Sequence, residues 1–415
     1  MDALTTPLNW QRVRLGDVAE IKRGASPRPI ENPKWFCANS NVGWVRISDI
    51  SKNNRFLYKT AQKLSKKGIE KSRFIKQNSL IMSMCATIGK PIITKIDTCI
   101  HDGFVVFENP KIDLNYLYYF LCYIEKEWLE SGQQGSQVNL NVDLIKNKEV
   151  FYPKDLDEQI AIANVLSDVD HYLYSLDALI LKKESVKKAL SFELLSQRKR
   201  LRGFNQNWQR VRLGDICEFG NGGAYETLIV ENGDFKLISL NSIDIDGNLK
   251  NTMKRVNFYD NSLKQDDIVM VLSDVAHGDF LGLCAVIPSN DYVLNQRMGR
   301  LRKRNDCINI LFLRLYINAN QKYFKMQGQG SSQLNLSKKA IEDFEILLPP
   351  LNEQIAIANI LSGLDNEIIS LKNKKRQFEN IKKALNHDLM SAKIRVLKKI
   401  NAPKVKDKPA YKGNP

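Results

Sequence analysis

From Leu156 to Leu201 the chain contains neither glycine nor proline, and its apolar residues return in steps of four and three at Ile162, Leu166, Val169, Leu173, Leu176 and Ile180. That spacing lines one stripe of a helix with apolar side chains, the pattern of a coiled-coil seam. The same stripe returns at Ile357, Leu361, Leu364, Ile368 and Leu371 and continues through Phe378 and Leu385. "PKDLDEQ" and "PPLNEQ" put proline ahead of Asp157 and Asn352, which are placed to cap the two helices, and the first helix is expected to end near Arg202 and Gly203. A single stripe of this kind reads first as a helix packed on its own domain; two near copies point to helices that pair with each other. Elsewhere the pattern changes to short apolar runs bounded by Gly, Asn and Asp, as in "SLIMSMCATIGKPIIT" at 79–94 and "DDIVMVLS" at 266–273, which predict strand-rich mixed α/β domains.

The helical segments are part of a larger repeat. "NWQRVRLGD" stands at 9–17 and again at 207–215; "EQIAIANVLSDVD" at 158–170 returns as "EQIAIANILSGLD" at 353–365, and "KKALSFELLS" at 187–196 as "KKALNHDLMS" at 382–391. Aligned at an offset of 195, residues 158–196 match 353–391 at 19 of 39 positions. Just upstream, "GSQVNL" ending at Leu140 faces "SSQLNL" ending at Leu336. The chain is therefore read as two tandem copies of one unit, with a variable domain over 1–152, a helix over 153–202, a second variable domain over 203–348, a second helix over 349–396 and a basic tail over 397–415. The expected class is α+β with pseudo-two-fold symmetry, and the duplicated helices bring the end of the second helix near the start of the first domain.

Composition narrows the partner. The chain carries 62 Lys and Arg against 46 Asp and Glu, a formal charge of +16, which favours a polyanion such as nucleic acid. No stretch approaches the ~20 apolar residues of a membrane span and the N-terminus has no apolar signal core, so a cytoplasmic protein is expected. The seven cysteines are scattered singly, which supports neither a disulfide framework nor a zinc site.

Catalytic motifs are hard to find. No phosphate-binding G-x-x-x-x-G-K-[ST] loop occurs, and the only Pro-Pro lies in "LLPPLNEQ", outside the context an amino-methyltransferase needs. His101 and His277 have Asp102 and Asp279 nearby but no Ser or Cys elbow, and the pairs Asp266-Asp267 and Asp244-Asp246 read as a strand entry and a hairpin turn rather than a metal site. "FGNGGAYE" at 219–226 reads as a turn. The residues suited to binding are repeated, polar and basic: Arg12 and Arg14 with Arg210 and Arg212, then Gln133, Gln137 and Asn139 with Gln329, Gln333 and Asn335 in two Gly-rich turns. Gln and Asn grip adenine and Arg grips guanine or phosphate in such settings, while the plain alternative is a flexible polar loop.

Taken together, the W-x-x-V-R-L-G-D opening, the S-Q-x-N-L turn, the E-Q-I-A-I-A-N-x-L-S helix start and the long helix, each present twice over residues 8–396, resemble the specificity subunit of type I restriction-modification enzymes. In the second copy "LKQDDIVMVLS" and "YVLNQRMGRL" fit the family's strand and Asn-Gln segment; the first copy has "CIHDGFVVF" in that place. The resemblance implies two target-recognition domains that each read one half of a split DNA site, separated by two antiparallel helices that form an intramolecular coiled coil. It further implies a non-catalytic chain whose partners are double-stranded DNA, two modification (methyltransferase) subunits and restriction subunits, with S-adenosylmethionine, ATP and Mg2+ bound on those other subunits. The rival readings are a stand-alone methyltransferase or nuclease, and a structural coiled-coil adaptor that ignores DNA.

Overall fold

The structure, a computed structural model, describes residues 9–131, 140–275 and 278–396. These form two compact units, one made of residues up to 175 together with those from 375, the other of residues 176–374.

In the first unit, strand Trp10–Arg14 pairs antiparallel along its whole length with Glu149–Pro153, so the two ends of the variable segment are joined before the long helix begins. Between them lies a five-stranded sheet in the order Glu20–Arg23, Phe104–Glu108, Leu80–Ser83, Pro91–Thr94, Phe56–Leu57. A smaller sheet follows the order Gln62–Lys63, Gly43–Val45, Thr98–Ile100, Arg73–Ile75 and has its own core of Trp35, Trp44, Leu64 and Cys99. Helix Leu114–Tyr123 starts where the Asp113 carboxylate accepts the Tyr116 amide at 2.8 Å, and buries Tyr116 through Leu121 in the main core.

The second unit repeats this plan. Gln209–Arg212 pairs with Glu345–Leu348; a four-stranded sheet runs Cys217–Asn221, Met298–Lys303, Ile268–Val271, Cys284–Val286; and the smaller sheet runs Arg255–Val256, Phe235–Ile238, Tyr292–Leu294 over Leu237, Val256 and Val293. Helix Ile310–Ala319 is capped by Asn309, whose side chain accepts the Phe312 amide at 2.9 Å. Three strands of the smaller sheets correspond: Gly43–Val45 is parallel to Thr98–Ile100 and antiparallel to Gln62–Lys63, as Phe235–Ile238 is to Tyr292–Leu294 and Arg255–Val256, while Arg73–Ile75 adds a fourth strand in the first unit alone.

The long helices are Leu156–Leu195 and Leu351–Met390. Both start earlier than the capping reading placed them: Asp155, not Asp157, receives the first-turn amide (Asp157 N at 3.1 Å), and the Pro350 carbonyl accepts from Glu353 and Gln354. The first also ends seven residues before Arg202, because Gln197 turns left-handed at φ +61°; Ala392 does the same at φ +58° after the second. Neither is a glycine, so no Gly or Pro marks these ends in the sequence. Along the seam, Ile162, Leu166, Ile357 and Leu361 pack into the cores of their own domains, the single-copy reading of the stripe. Beyond them the helices meet each other: in the first unit Tyr172 lies 4.5 Å from Phe378, ring to ring, and Lys382 pairs with Asp170 at 2.5 Å. In the second, Lys187 pairs with Asp365, Lys183 with Glu367 at 2.5 Å and Lys372 with Glu184 at 2.8 Å. From Asp170 to Tyr172 the partner moves back from Lys382 to Phe378, and from Glu184 to Lys187 it moves back from Lys372 to Asp365, which is antiparallel pairing. The Asp170–Lys382 and Asp365–Lys187 pairs occupy equivalent positions of the sequence repeat with the roles of the helices exchanged. Val169, Leu173, Leu364 and Leu371 on this stretch are half-buried, Leu176 and Ile368 buried.

Candidate nucleic-acid interface

The repeated motifs meet at one joint in each unit. Glu353 in the first turn of its helix is fully buried; its carboxylate takes both Nε (3.1 Å) and Nη2 (2.6 Å) of Arg200 and the indole N–H of Trp208 at 3.0 Å. Glu158 takes the Trp10 indole N–H at 3.3 Å and Asn9 Nδ2 at 2.8 Å, with Arg395 at 3.5 Å. The neighbouring glutamines brace the same joint. Gln159 donates to the Pro153 carbonyl and accepts the Asp113 amide; Gln354 donates to the Pro349 and Cys307 carbonyls and accepts the Asn309 amide. The Trp of the opening motif and the Glu-Gln of the helix start are thus one device that fixes a variable domain to a helix, at residues the binding-oriented reading of the sequence passed over. Arg395 also bonds Asn9 at 2.7 Å, so the end of the second helix adjoins the start of the first domain.

The repeated arginines lie beside the joint. Arg12 and Arg210 are exposed on their strands and reach across to Glu149 at 3.2 Å and Glu345 at 2.7 Å. Arg212 lies 3.6 Å from Asp343, while the side chain of Arg14 is exposed and has no such carboxylate partner among the described residues. Three of the four thus have a carboxylate partner, two of them, Arg12 and Arg210, across the strand pair that closes the domain.

Gln133, Gln137 and Asn139 lie outside the described residues. Their counterparts close a turn: Gln329 and Asn335 exchange backbone hydrogen bonds at 2.9 and 3.0 Å, and Gln333–Asn335 pairs with Ser273–Val275. The Ser273 hydroxyl accepts Gln333 Nε2 at 2.5 Å and donates to Asn335 Oδ1 at 2.6 Å, so both side chains hold the turn to the sheet.

A second pair of loops is matched between the units. A Cβ on Gly24 would fall 2.0 Å from the His101 carbonyl oxygen, and one on Gly222 2.0 Å from that of Asn295; glycine is required at both close approaches. Gly222 belongs to the "FGNGG" stretch, whose glycine is thus explained by packing. The side chains on this shared frame differ. In the first unit the Asp102 carboxylate accepts from Ser26 at 2.7 Å and Arg28 at 2.8 Å, and His101 Nδ1 accepts the Gly103 amide at 2.9 Å. Burial pushes the His101 pKa down to about 4, so the ring is neutral near pH 7 and is a satisfied loop histidine. In the second unit Asn295 accepts the Tyr225 amide and donates to Glu226 at 2.7 Å, leaving Gln296 and Arg297 exposed.

Among the described residues no group of three or more His, Cys, Asp or Glu is arranged to hold a metal ion, and no helix is long and apolar enough to cross a membrane. Burial raises the thiols of Cys99, Cys122 and Cys217 to about 12, far from a nucleophile's range. Asp244 caps its own turn by accepting the amides of Asp246 and Asn248, and Asp267 is held by both nitrogens of Arg302, at 2.8 and 2.6 Å.

Against known proteins, the family model described as the type I restriction modification DNA specificity domain matches twice, at residues 7–183 and 205–380. A type I restriction enzyme MjaVIII specificity subunit of Methanocaldococcus jannaschii is 26% identical over 426 residues, 95% of each chain. The type I restriction enzyme EcoprrI specificity subunit of Escherichia coli is 26% identical over 145 residues, covering 34% of this chain and 35% of that one. The crystal structure of a type I restriction-modification system S subunit from M. genitalium superposes with a TM-score of 0.62 at 17% identity, covering 93% of this chain and 97% of that one. A chain from a study of type I system assembly and conformational transition gives a TM-score of 0.57 at 15% identity over 93% and 98%. With two family matches that together span most of its length and the same motifs at both joints, the chain belongs to the family of type I restriction-modification DNA specificity subunits.

Proposed function

We propose that the chain directs a type I complex to a bipartite DNA site, each recognition domain reading one half, and that it carries no catalytic step itself. The observation that carries this reading is the contrast inside the repeat: the Trp10–Glu158 and Trp208–Glu353 joints are the same device, while the loops set on it have different side chains, Asp102 and Arg28 in one unit and Gln296 and Arg297 in the other. One mounting with two faces suits two different sequences. Methyl transfer and ATP-driven cleavage then belong to modification and restriction subunits, which would bring S-adenosylmethionine, ATP and Mg2+.

The helices supply matched docking positions for two modification subunits. Exposed apolar side chains stand at Leu156, Ile160, Val165, Tyr174 and Ile381 in the first unit and at the equivalent Leu351, Ile355, Ile360, Ile369 and Val186 in the second. The two sets agree in position, and every member of both is exposed. Exposed apolar residues recurring in register on two surface helices fit two copies of one partner better than chance exposure. The test is to co-express the chain with the modification subunit and map methylated bases in host DNA. Two short conserved segments separated by a fixed unread gap support the reading; methyl transfer by the isolated chain, or an uninterrupted site, would overturn it.

A further inference from the structure

The +16 charge is not shared between the two readers. Residues 31–76, which build the smaller sheet of the first unit and its flanking turns, hold eleven Lys and Arg against three Asp and Glu. The corresponding segment of the second unit, 226–264, holds five against six. Three strands in each sheet are paired in the same way, the fourth, Arg73–Ile75, being an addition in the first unit, so this is one architectural position with opposite electrostatic character.

Pairing widens the difference. Lys52, Lys59, Lys63, Lys66, Lys67, Lys71 and Lys76 are all exposed, and none makes a hydrogen bond or ion pair through its side chain to another described residue. They sit at the end of helix Ile47–Ser51, on and before the edge strand Gln62–Lys63, on helix Lys66–Glu70 and just past strand Arg73–Ile75, around one small core. The Arg46 guanidinium, half-buried near His101, is likewise without a hydrogen-bond partner among the described residues. Arg55 is the exception: it is buried, its guanidinium bonding Tyr119, Ser167 and Asn115, and it serves the fold. In the second unit Lys236 is paired with Asp291 and Lys254 with Glu226, and Arg255 donates to the Gly233 carbonyl, which leaves Lys250 and Lys264.

Seven uncompensated ammonium groups on a subdomain of some forty-six residues repel one another, an arrangement that a polyanion relieves. Lysine is a point charge that tracks phosphate without reading a base. We propose that the small-sheet subdomain of the first unit is a phosphate-gripping anchor for the DNA backbone with no counterpart in the second unit, so that the first unit carries most of the sequence-independent affinity and the second contributes chiefly by reading its half-site. The proposal rests on the DNA-recognition reading.

The experiment measures the salt dependence of binding to duplex DNA of random sequence, with the full-length chain both alone and assembled with its modification subunits. One variant carries Lys59→Gln, Lys63→Gln, Lys66→Gln and Lys67→Gln; the control carries Lys236→Gln, Lys250→Gln, Lys254→Gln and Lys264→Gln. The basic tail is the same in all. Each phosphate that a lysine no longer neutralises lowers the slope of log affinity against log salt by about 0.9, so the slope of the first variant should fall by about 2 to 3.6 and that of the control by less than about 1. Equal reductions, or an unchanged slope in the first variant while the complex still prefers its own site, would overturn the anchor alone. A wild-type complex with no site preference would overturn the DNA-recognition reading and the anchor with it.

Discussion

Replacing Glu353 by alanine tests the joint at its most exposed point of logic. The carboxylate is fully buried and neutralises Arg200 through two hydrogen bonds, at 3.1 and 2.6 Å, while also accepting the Trp208 indole N–H at 3.0 Å. Removing one partner of a buried ion pair costs about 3–5 kcal/mol, and an indole N–H left without an acceptor adds about 1–3. Arg200 keeps 24% of its side chain in solvent, which lets water recover part of its charge, so a total near the lower figure, about 3–4 kcal/mol, is expected. The equivalent Glu158→Ala removes a longer indole bond of 3.3 Å, a neutral amide and an arginine at 3.5 Å, and should cost about 1–2 kcal/mol. Because two units make a single unfolding midpoint ambiguous, the assay is native-state hydrogen exchange resolved to peptides. Glu353→Ala should lower protection in strand Gln209–Arg212 and the first turns of helix Leu351–Met390, with the first unit unchanged. A reduction of less than about 1 kcal/mol there, or an equal reduction for Glu158→Ala, would refute the reasoning from burial and bond count.

The remaining predictions follow the same geometry. Since Arg395 bonds Asn9 at 2.7 Å, a permutant opened at Gly203 with a short linker from residue 396 to residue 9 should fold and methylate the wild-type site; aggregation at every linker length would count against it. Ile160→Asp should take the complex from two modification subunits per chain to one, read by native mass spectrometry, and adding Ile355→Asp should remove the second; retention of both subunits would show that these faces are not the docking positions. His101, held down to about 4 against an ordinary value near 6.5, binds fewer protons folded than unfolded, so its contribution is present above pH 6.5 and fades as pH falls toward 4. Wild type should therefore lose up to about 3 kcal/mol more than His101→Asn over that window, and parallel pH profiles of the two would contradict the assignment.

The first helix was legible because a forty-residue span without Gly or Pro, striped in fours and threes, has few other structures open to it, and the second, which carries Gly363, was legible as its copy. Their ends were not, since Gln197 and Ala392 take a left-handed turn that their identities do not announce. The duplication of the unit could be read from the repeat alone, but the purpose of the repeated letters could not. Trp208 and Glu353 are 145 residues apart, and Arg210 and Glu345 are 135, so a tryptophan, a glutamate and an arginine that each look like surface or binding residues become partners only when the strand closes on the helix. Gln333 illustrates the same limit: its amide suits a base edge in composition, yet it is spent on Ser273. The total charge was visible from the start, whereas the contrast between the two small-sheet segments required matching 31–76 to 226–264, which share strand pairing and almost no sequence.

The central claim, that each unit reads its own half of a split site from a common mounting, is tested most directly by a hybrid chain in which residues 16–148 also replace residues 214–344. Both cuts fall inside the matched framework, next to the strands that close each domain. Methylated-base mapping of host DNA, with the modification subunits co-expressed, should show an interrupted palindrome: the half-site of the first unit, repeated in inverted orientation, with the half-site of the second unit gone. A hybrid that folds and methylates but still marks the original bipartite sequence, or a sequence containing neither half, would contradict the account.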